Sequence, residues 1–325
     1  MQEEIIDKLT KGQRLDKYLK KYLSEAPGSF LYRMMRKKNI VLNGKKAKGA
    51  EILQEGDSVK FFLADETLKK FRGQSAAAAD GATGNISVCY EDDDLIVINK
   101  PAGLLSQKAA DQDISAAEEI TAYLIRTGHL KNSDLSTFRP GTANRLDRNT
   151  TGLLTAGKTL SGSQFLAEGF RKRTFKKIYT CLVRGTLEKP FSLTGYIEKD
   201  ARSNKVHLHK SKTPGCAYIE THFMPVESRS GVTLMRVHLV TGKTHQIRLH
   251  LSAIGSPIIG DYKYGDRNLN NTYKNTYGLK SQLLHAEELS FPEIRGDFAY
   301  LSGKTLKAEK PEIFRRILKD RGFDF

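Results

Sequence analysis

Apolar positions recur at helical spacing near the start of this 325-residue chain and at strand spacing over most of the remainder. In Arg14-Leu15-Asp16-Lys17-Tyr18-Leu19-Lys20-Lys21-Tyr22-Leu23, the residues Leu15, Tyr18, Leu19 and Tyr22 fall on one helical face, and Ala26-Pro27-Gly28-Ser29 ends the helix. Phe30 to Lys38 reads as a second helix. A short strand follows at Ile40-Val41-Leu42, then a tight turn at Asn43-Gly44. Gly56-Asp57 marks another turn before a closing strand at Val59-Lys60-Phe61-Phe62. This pattern predicts a small α/β domain within residues 1–63. Residues 64–85 lose the periodicity, and Gly73-Gln74-Ser75-Ala76-Ala77-Ala78-Ala79-Asp80-Gly81 reads as a linker, its alanine run equally suited to a short helix.

From Ile86 onward the expected strands are Ile86–Tyr90, Leu95–Asn99, Lys177–Val183, Thr194–Ile197, Lys205–Leu208, Ala217–Phe223, Val232–Leu239 and Leu283–Leu289. Helical patterns fall at Ala116–Arg126, Leu160–Lys172 and His245–Ala253, the last stopped by Gly255. Many strands and few helices predict an α+β domain over residues 86–310, built on a mixed, largely antiparallel sheet with flanking helices. A C-terminal tail helix is expected within 311–325, with no function assigned to it.

Composition changes this picture in three ways. The 39% hydrophobic content suffices for a sizeable core, and the length suggests two domains. No run of about 18 apolar residues exists, and Met1-Gln2-Glu3-Glu4 lacks the features of a signal peptide, so a cytoplasmic protein with no membrane partner is expected. The net charge of +16 calls for a polyanionic partner, because each neutralised phosphate releases counterions. Between Lys17 and Lys48 ten Lys or Arg residues face a single acid, Glu25, which reads as a phosphate-contacting face. Arg33, Arg36, Lys37, Lys38, Lys45 and Lys46 are its candidate contacts.

Metal ligation is not expected. His245 and His250 are five apart, which misses one helical face, and His207 and His209 alternate along a strand as on a solvated surface. Cys89, Cys181 and Cys216 form no pair and read as free thiols.

The most informative stretch is Asn144-Arg145-Leu146-Asp147-Arg148-Asn149-Thr150-Thr151-Gly152-Leu153-Leu154, which sets one carboxylate between two arginines. In extended backbone Arg145 and Asp147 share a face while Leu146 anchors inward. A carboxylate held by cations stays ionised and ready for chemistry. On spacing alone such a pair is, in most proteins, a surface ion pair ahead of a core strand.

With Lys177-Ile178-Tyr179-Thr180-Cys181-Leu182-Val183-Arg184-Gly185, Thr241-Gly242-Lys243-Thr244-His245-Gln246-Ile247-Arg248-Leu249-His250 and Ile98-Asn99-Lys100-Pro101-Ala102-Gly103-Leu104, this stretch resembles the RluA-type family of RNA pseudouridine synthases. These motifs span most of residues 86–292, with Asn144 where the family has His and Thr151 where it has Ser. The resemblance implies a catalytic sheet crossed by a central cleft, with Asp147 as the catalytic carboxylate. That carboxylate attacks the sugar, attacks the uracil, or removes a sugar proton; the residues leave all three open. The resemblance further implies Arg248 paired with Asp147, Tyr179 packed on a flipped uracil, and Arg145 in the space the base vacates. Lys100 and Lys243, beside the motifs, become candidate phosphate contacts. The reaction requires no redox partner, phosphate donor or metal, so no cofactor is expected.

The N-terminal pattern, with Val41-Leu42-Asn43-Gly44 and Gly56-Asp57-Ser58-Val59, resembles the small RNA-binding module first described in a ribosomal small-subunit protein, here called the S-four type. Such modules grip structured RNA by shape and backbone. The combined expectation is a monomeric synthase acting on structured RNA, in particular large-subunit ribosomal RNA. The competing expectations are a synthase for transfer RNA, a non-catalytic ribosome-assembly factor, and a base-removing hydrolase.

Overall fold

The helical spacing of Leu15, Tyr18, Leu19 and Tyr22 becomes a helix whose buried residues are these four. The computed structural model describes residues 1–73, 81–200, 205–209 and 211–324. The first part of the chain folds as β1 (Gln2–Ile5), α1 (Leu15–Tyr22), α2 (Gly28–Arg36), β2 (Ile40–Leu42), β3 (Lys45–Lys46), β4 (Ser58–Phe61) and α3 (Asp65–Phe71). Its strands form one sheet in the order β1-β4-β2-β3. Leu15, Leu19, Met35, Ile40, Val59 and Phe61 make its separate core.

Residues 64–71 were expected to start a linker, and they do not. They form α3, because Leu68 is apolar enough to bury and Phe71 packs against Phe30 at 4.6 Å. The expected alanine run at 76–79 lies outside the described residues.

The body begins with β5 (Val88–Glu91), β6 (Leu95–Lys100), α4 (Ala116–Arg126), β7 (Thr151–Gly157), α5 (Leu160–Lys172) and β8 (Lys176–Arg184). It continues with β9 (Phe191–Asp200), β10 (Lys205–His209), β11 (Ala217–Arg229), β12 (Val232–Leu239) and α6 (Gln246–Ala253). It closes with α7 (Arg267–Tyr277), β13 (Leu284–Ser290), β14 (Thr305–Lys307) and α8 (Glu312–Asp320). One 10-stranded sheet runs β10-β9-β11-β12-β8-β13-β7-β6-β5, with β14 paired to β13. Among the described strands only β13 and β7 run parallel, so the sheet is mixed and largely antiparallel, as expected.

That parallel pair sits at the sheet's centre, and Gly152 is what lets it close. Its φ is +110°, and a Cβ there would lie 2.2 Å from the carbonyl oxygen of Ala286. No other residue fits that approach.

The expected C-terminal helix is α8, but it is no loose tail. Phe314, Ile317 and Leu318 are buried with Leu182, Leu234 and Tyr273 of the body. The N-terminal part touches the body where Leu160 N–H donates to the Leu9 carbonyl at 3.0 Å and Lys8 pairs with Asp93 at 2.9 Å. Among the described residues no helix is long and apolar enough to cross a membrane.

Candidate active site

Asp147 lies on the loop that enters β7, and neighbouring polar groups fix that loop from both sides. Asn144 accepts from Thr155 N–H at 2.9 Å and donates to the Leu153 carbonyl at 3.2 Å, tying the loop to the strand it precedes. Ser106 Oγ accepts from Leu146 N–H at 2.9 Å, and Leu146 itself is buried as the anchor. Asn144, where the family has His, thus supports the loop locally.

Lys100, at the end of β6, is the third restraint, and here the sequence expectation fails. Its side chain was expected to reach RNA phosphate, yet it has no exposed surface. Its ammonium donates to the carbonyls of Pro101, Leu104 and Arg148 at 2.8, 2.8 and 2.9 Å. Three N–H donors meet three carbonyls, so it cannot also bind a phosphate. Burial pushes its pKa down to about 7, with the Asp147 charge pulling the other way. Lys100 is a pin holding the two site loops together.

Arg248, one turn into α6, donates from Nη1 to Asp147 Oδ2 at 2.7 Å. Its remaining edge is gripped by Asp261, with Nε to Oδ2 at 2.7 Å and Nη2 to Oδ1 at 2.9 Å. Burial opposes the Arg248 cation, but the hydrogen bonds and charges of Asp261 and Asp147 outweigh it and raise its pKa. The Arg248 side chain is 8% exposed and that of Asp147 is 22% exposed, so solvent reaches the carboxylate more readily than the guanidinium. Asp147 Oδ1 accepts no side-chain hydrogen bond among the described residues.

Asp261 is held in turn. Its Oδ1 accepts from Lys263 N–H at 2.9 Å and Tyr264 N–H at 3.1 Å, and it follows Gly260, at φ +83°, where a Cβ would lie 2.2 Å from the Ser281 carbonyl oxygen. Tyr264 stacks 5.1 Å from the Arg248 guanidinium, and its hydroxyl pairs with His245 Nδ1 at 2.8 Å. His245 Nε2 stands 3.8 Å from Asp147. Burial lowers the His245 pKa while Asp147 opposes the shift. Gln246 secures the loop ahead of α6, accepting from Thr241 Oγ1 at 2.8 Å and Lys243 N–H at 3.1 Å, and donating to the Glu220 carbonyl at 2.9 Å.

Tyr179 sits on β8 between Val237 of β12 and Ala286 of β13. It is buried, and burial together with the Asp147 charge raises its phenol pKa. The structure therefore brings Asp147, Arg248 and Tyr179 together from the loop before β7, from α6 and from β8. Arg145 and Lys243 are exposed on the two loops flanking this cluster. Asp261, Tyr264, His245 and Gln246 were not among the expected site residues.

The basic residues of the N-terminal part lie apart from this cluster. Arg33, Arg36, Lys46 and Lys48 line a groove of about 550 Å³ between α2 and the turn after β3. Lys37, Lys38 and Lys45 are exposed.

Comparisons with known proteins converge. Residues 94–253 match the family model described as RNA pseudouridylate synthase. The chain is 30% identical over 288 residues to ribosomal large subunit pseudouridine synthase C of Vibrio cholerae, covering 88% of this chain and 87% of that protein. It is 31% identical to the protein of the same name in Escherichia coli, covering 86% and 85%. The fold resembles human RNA pseudouridylate synthase domain containing 4, with TM-score 0.58 and 21% identity, over 74% of this chain and 94% of that one.

Proposed function

This chain belongs to the RluA-type family of RNA pseudouridine synthases, and we propose that it isomerises uridines of large-subunit ribosomal RNA with Asp147 as its catalytic carboxylate. The observation carrying this reading is the Asp147–Arg248–Asp261 chain, which holds one reactive carboxylate at a partly open position beside a buried tyrosine. Relatives named for the large ribosomal subunit support the substrate.

In the reaction the bond from uracil N1 to the sugar C1′ breaks, the base turns, and C5 bonds to C1′. C5 loses a proton and N1 gains one, so the conversion is an isomerisation without oxidant or reductant. Asp147 acts on the sugar or the base, and Arg248 balances its charge throughout. Tyr179 serves as the aromatic face that carries the extruded base, a contact worth about 1–3 kcal/mol. Arg145, planar and able to stack, fills the vacated position in the helix. Lys243 meets phosphate beside the site.

Residues 1–73 act as the S-four-type RNA grip, through the groove lined by Arg33, Arg36 and Lys46 and the adjoining Lys37, Lys38 and Lys45. The enzyme works as a cytoplasmic monomer.

The test is pseudouridine mapping in cells lacking the protein, restored with the unaltered chain or with Asp147→Ala. Loss of particular ribosomal uridine modifications, regained only with the unaltered chain, is the expected result. Restoration by Asp147→Ala removes Asp147 from the chemistry, and loss confined to transfer RNA removes the ribosomal substrate.

A further inference from the structure

At its far edge the large sheet ends in β10, which pairs only with β9 among the described residues. Three chemically distinct side chains converge there from three segments. Glu198 comes from β9, and His209 is the last residue of β10. Cys216 stands immediately before β11, whose Ala217 pairs with Ile197 on the opposite side of β9 from β10. The turn Thr213-Pro214-Gly215-Cys216 presents the cysteine, with Cys216 N–H donating to the Thr213 carbonyl at 3.1 Å and Gly215 at φ +84°. Proline second and a positive-φ glycine third are the requirements of a type II turn. The Glu198 carboxylate oxygen, the His209 ring nitrogen and the Cys216 sulfur all lie within 4.8 Å of one another.

Two observations distinguish this cluster from an ion pair with a bystander thiol. His209 Nε2 is 3.5 Å from Glu198 Oε2, beyond good hydrogen-bond length. Two ligands bound tetrahedrally to a zinc ion at roughly 2.0–2.1 Å stand about 3.4 Å apart, so the same separation suits a shared ion. His209 Nε2 is also shielded from solvent, although its side chain is 37% exposed, and has no hydrogen-bond partner among the described residues, so a bound ion would fill a position that no described group fills. The Thr213 hydroxyl, 2.8 Å from Cys216 Sγ, is placed to donate to a bound thiolate and orient it.

We propose that Glu198, His209 and Cys216 form a site for a zinc-class divalent cation, with water completing the tetrahedron. One sulfur, one imidazole nitrogen and one carboxylate oxygen are donors that zinc takes and that calcium or magnesium would not select. The ion clasps β9, β10 and the turn before β11, stapling a sheet edge that is otherwise held by a single ladder. The site is separate from the Asp147 cluster and does not depend on the proposed substrate. Sequence spacing could not indicate it, because the three ligands meet through strand register rather than through a local motif.

The experiment uses the full-length chain, reduced and metal-free, titrated with Co²⁺ as a spectroscopic substitute. The expected result is a saturable thiolate-to-cobalt charge-transfer band with tetrahedral visible bands, at one equivalent, displaced by Zn²⁺. Cys216→Ser abolishes the charge-transfer band and Cys89→Ser leaves it intact. His209→Gln weakens binding by more than the roughly 10–100-fold cost of losing a supporting partner. Zinc raises the melting temperature of the unaltered chain and not that of Cys216→Ser. A wild-type chain without a saturable band overturns the proposal whatever the variants do, as does a band that survives in Cys216→Ser.

Discussion

Asp261 fixes the direction of Arg248, and Arg248 fixes Asp147, so a residue two contacts away sets the geometry of the proposed catalytic carboxylate. Asp261→Asn keeps the volume but gives up one acceptor and the charge, letting the guanidinium turn. The expected outcome in single-turnover assays is about 100-fold slower pseudouridine formation with RNA affinity unchanged, the cost of a displacement near 1 Å. Asp261→Ala leaves a buried cation half-paired and is expected to lower unfolding free energy by about 3–5 kcal/mol in urea titrations. His250 adds a pH signature. It is buried against Thr221, its Nε2 has no hydrogen-bond partner among the described residues, and burial lowers its pKa to about 4 from an ordinary 6.5. The unfolded chain therefore binds the extra proton first, so stability is fully present above about 6.5 and is lost as pH falls toward 4. His285, also lowered by burial, acts in the same direction. Melting curves of His250→Gln should flatten this acid decline relative to the unaltered chain. That Asp147, Tyr179 and Arg248 would converge was legible because each lies in a sequence motif of its own. Asp261 was not, since its tie to Arg248 crosses 13 positions without periodicity. Lys100 misled because a lysine beside a motif looks solvated until the carbonyls around it are seen.

Element by element, what the sequence revealed depended on how strongly each segment is amphipathic. α4 and α5 match their expected limits, Ala116–Arg126 and Leu160–Lys172, and α6 differs only in giving His245 to the cap, with φ +56°. α7 escaped notice because Arg267–Tyr277 is polar nearly all round and buries only Asn270 and Tyr273. Its ends were legible nonetheless. Asp266 accepts from Asn268 and Leu269 N–H groups, and Gly278 at φ +73° stops the helix. β9 and β11 run several residues past their expected ends, because long antiparallel partners extend a ladder through polar positions that carry no strand signal alone. The N-terminal limit of the linker moved for a related reason: α3 is short, and only Leu68 and Phe71 bind it to its domain. At the other end, Phe314→Ala in α8 should cost about 3–5 kcal/mol in chemical denaturation, as a core phenylalanine does. A loose appendage would show no change.

Across the whole molecule, charge and chemistry are divided between two regions. The basic groove lies with α2 and β3, and Asp147, the proposed catalytic carboxylate, lies on the loop entering β7 of the large sheet. Replacing Lys37, Lys38, Lys45 and Lys46 with Gln should weaken RNA binding and lower its log-log salt slope by about 0.7–0.9 per lost contact. Turnover of saturating RNA should change little. An unchanged slope in filter-binding or anisotropy titrations would assign those lysines to solvation only. The large sheet carries one more consequence, which concerns time. β13 lies between β7 and β8, although its first residue, Leu284, follows the last of β8, Arg184, by about 100 positions and the last of β7, Gly157, by still more. A chain growing from its N-terminus completes both neighbours long before the strand that joins them exists. Pairings of such sequence separation form late and slowly. Asp147 is therefore made early and framed last, and the chain cannot modify RNA until it has been synthesised past residue 290.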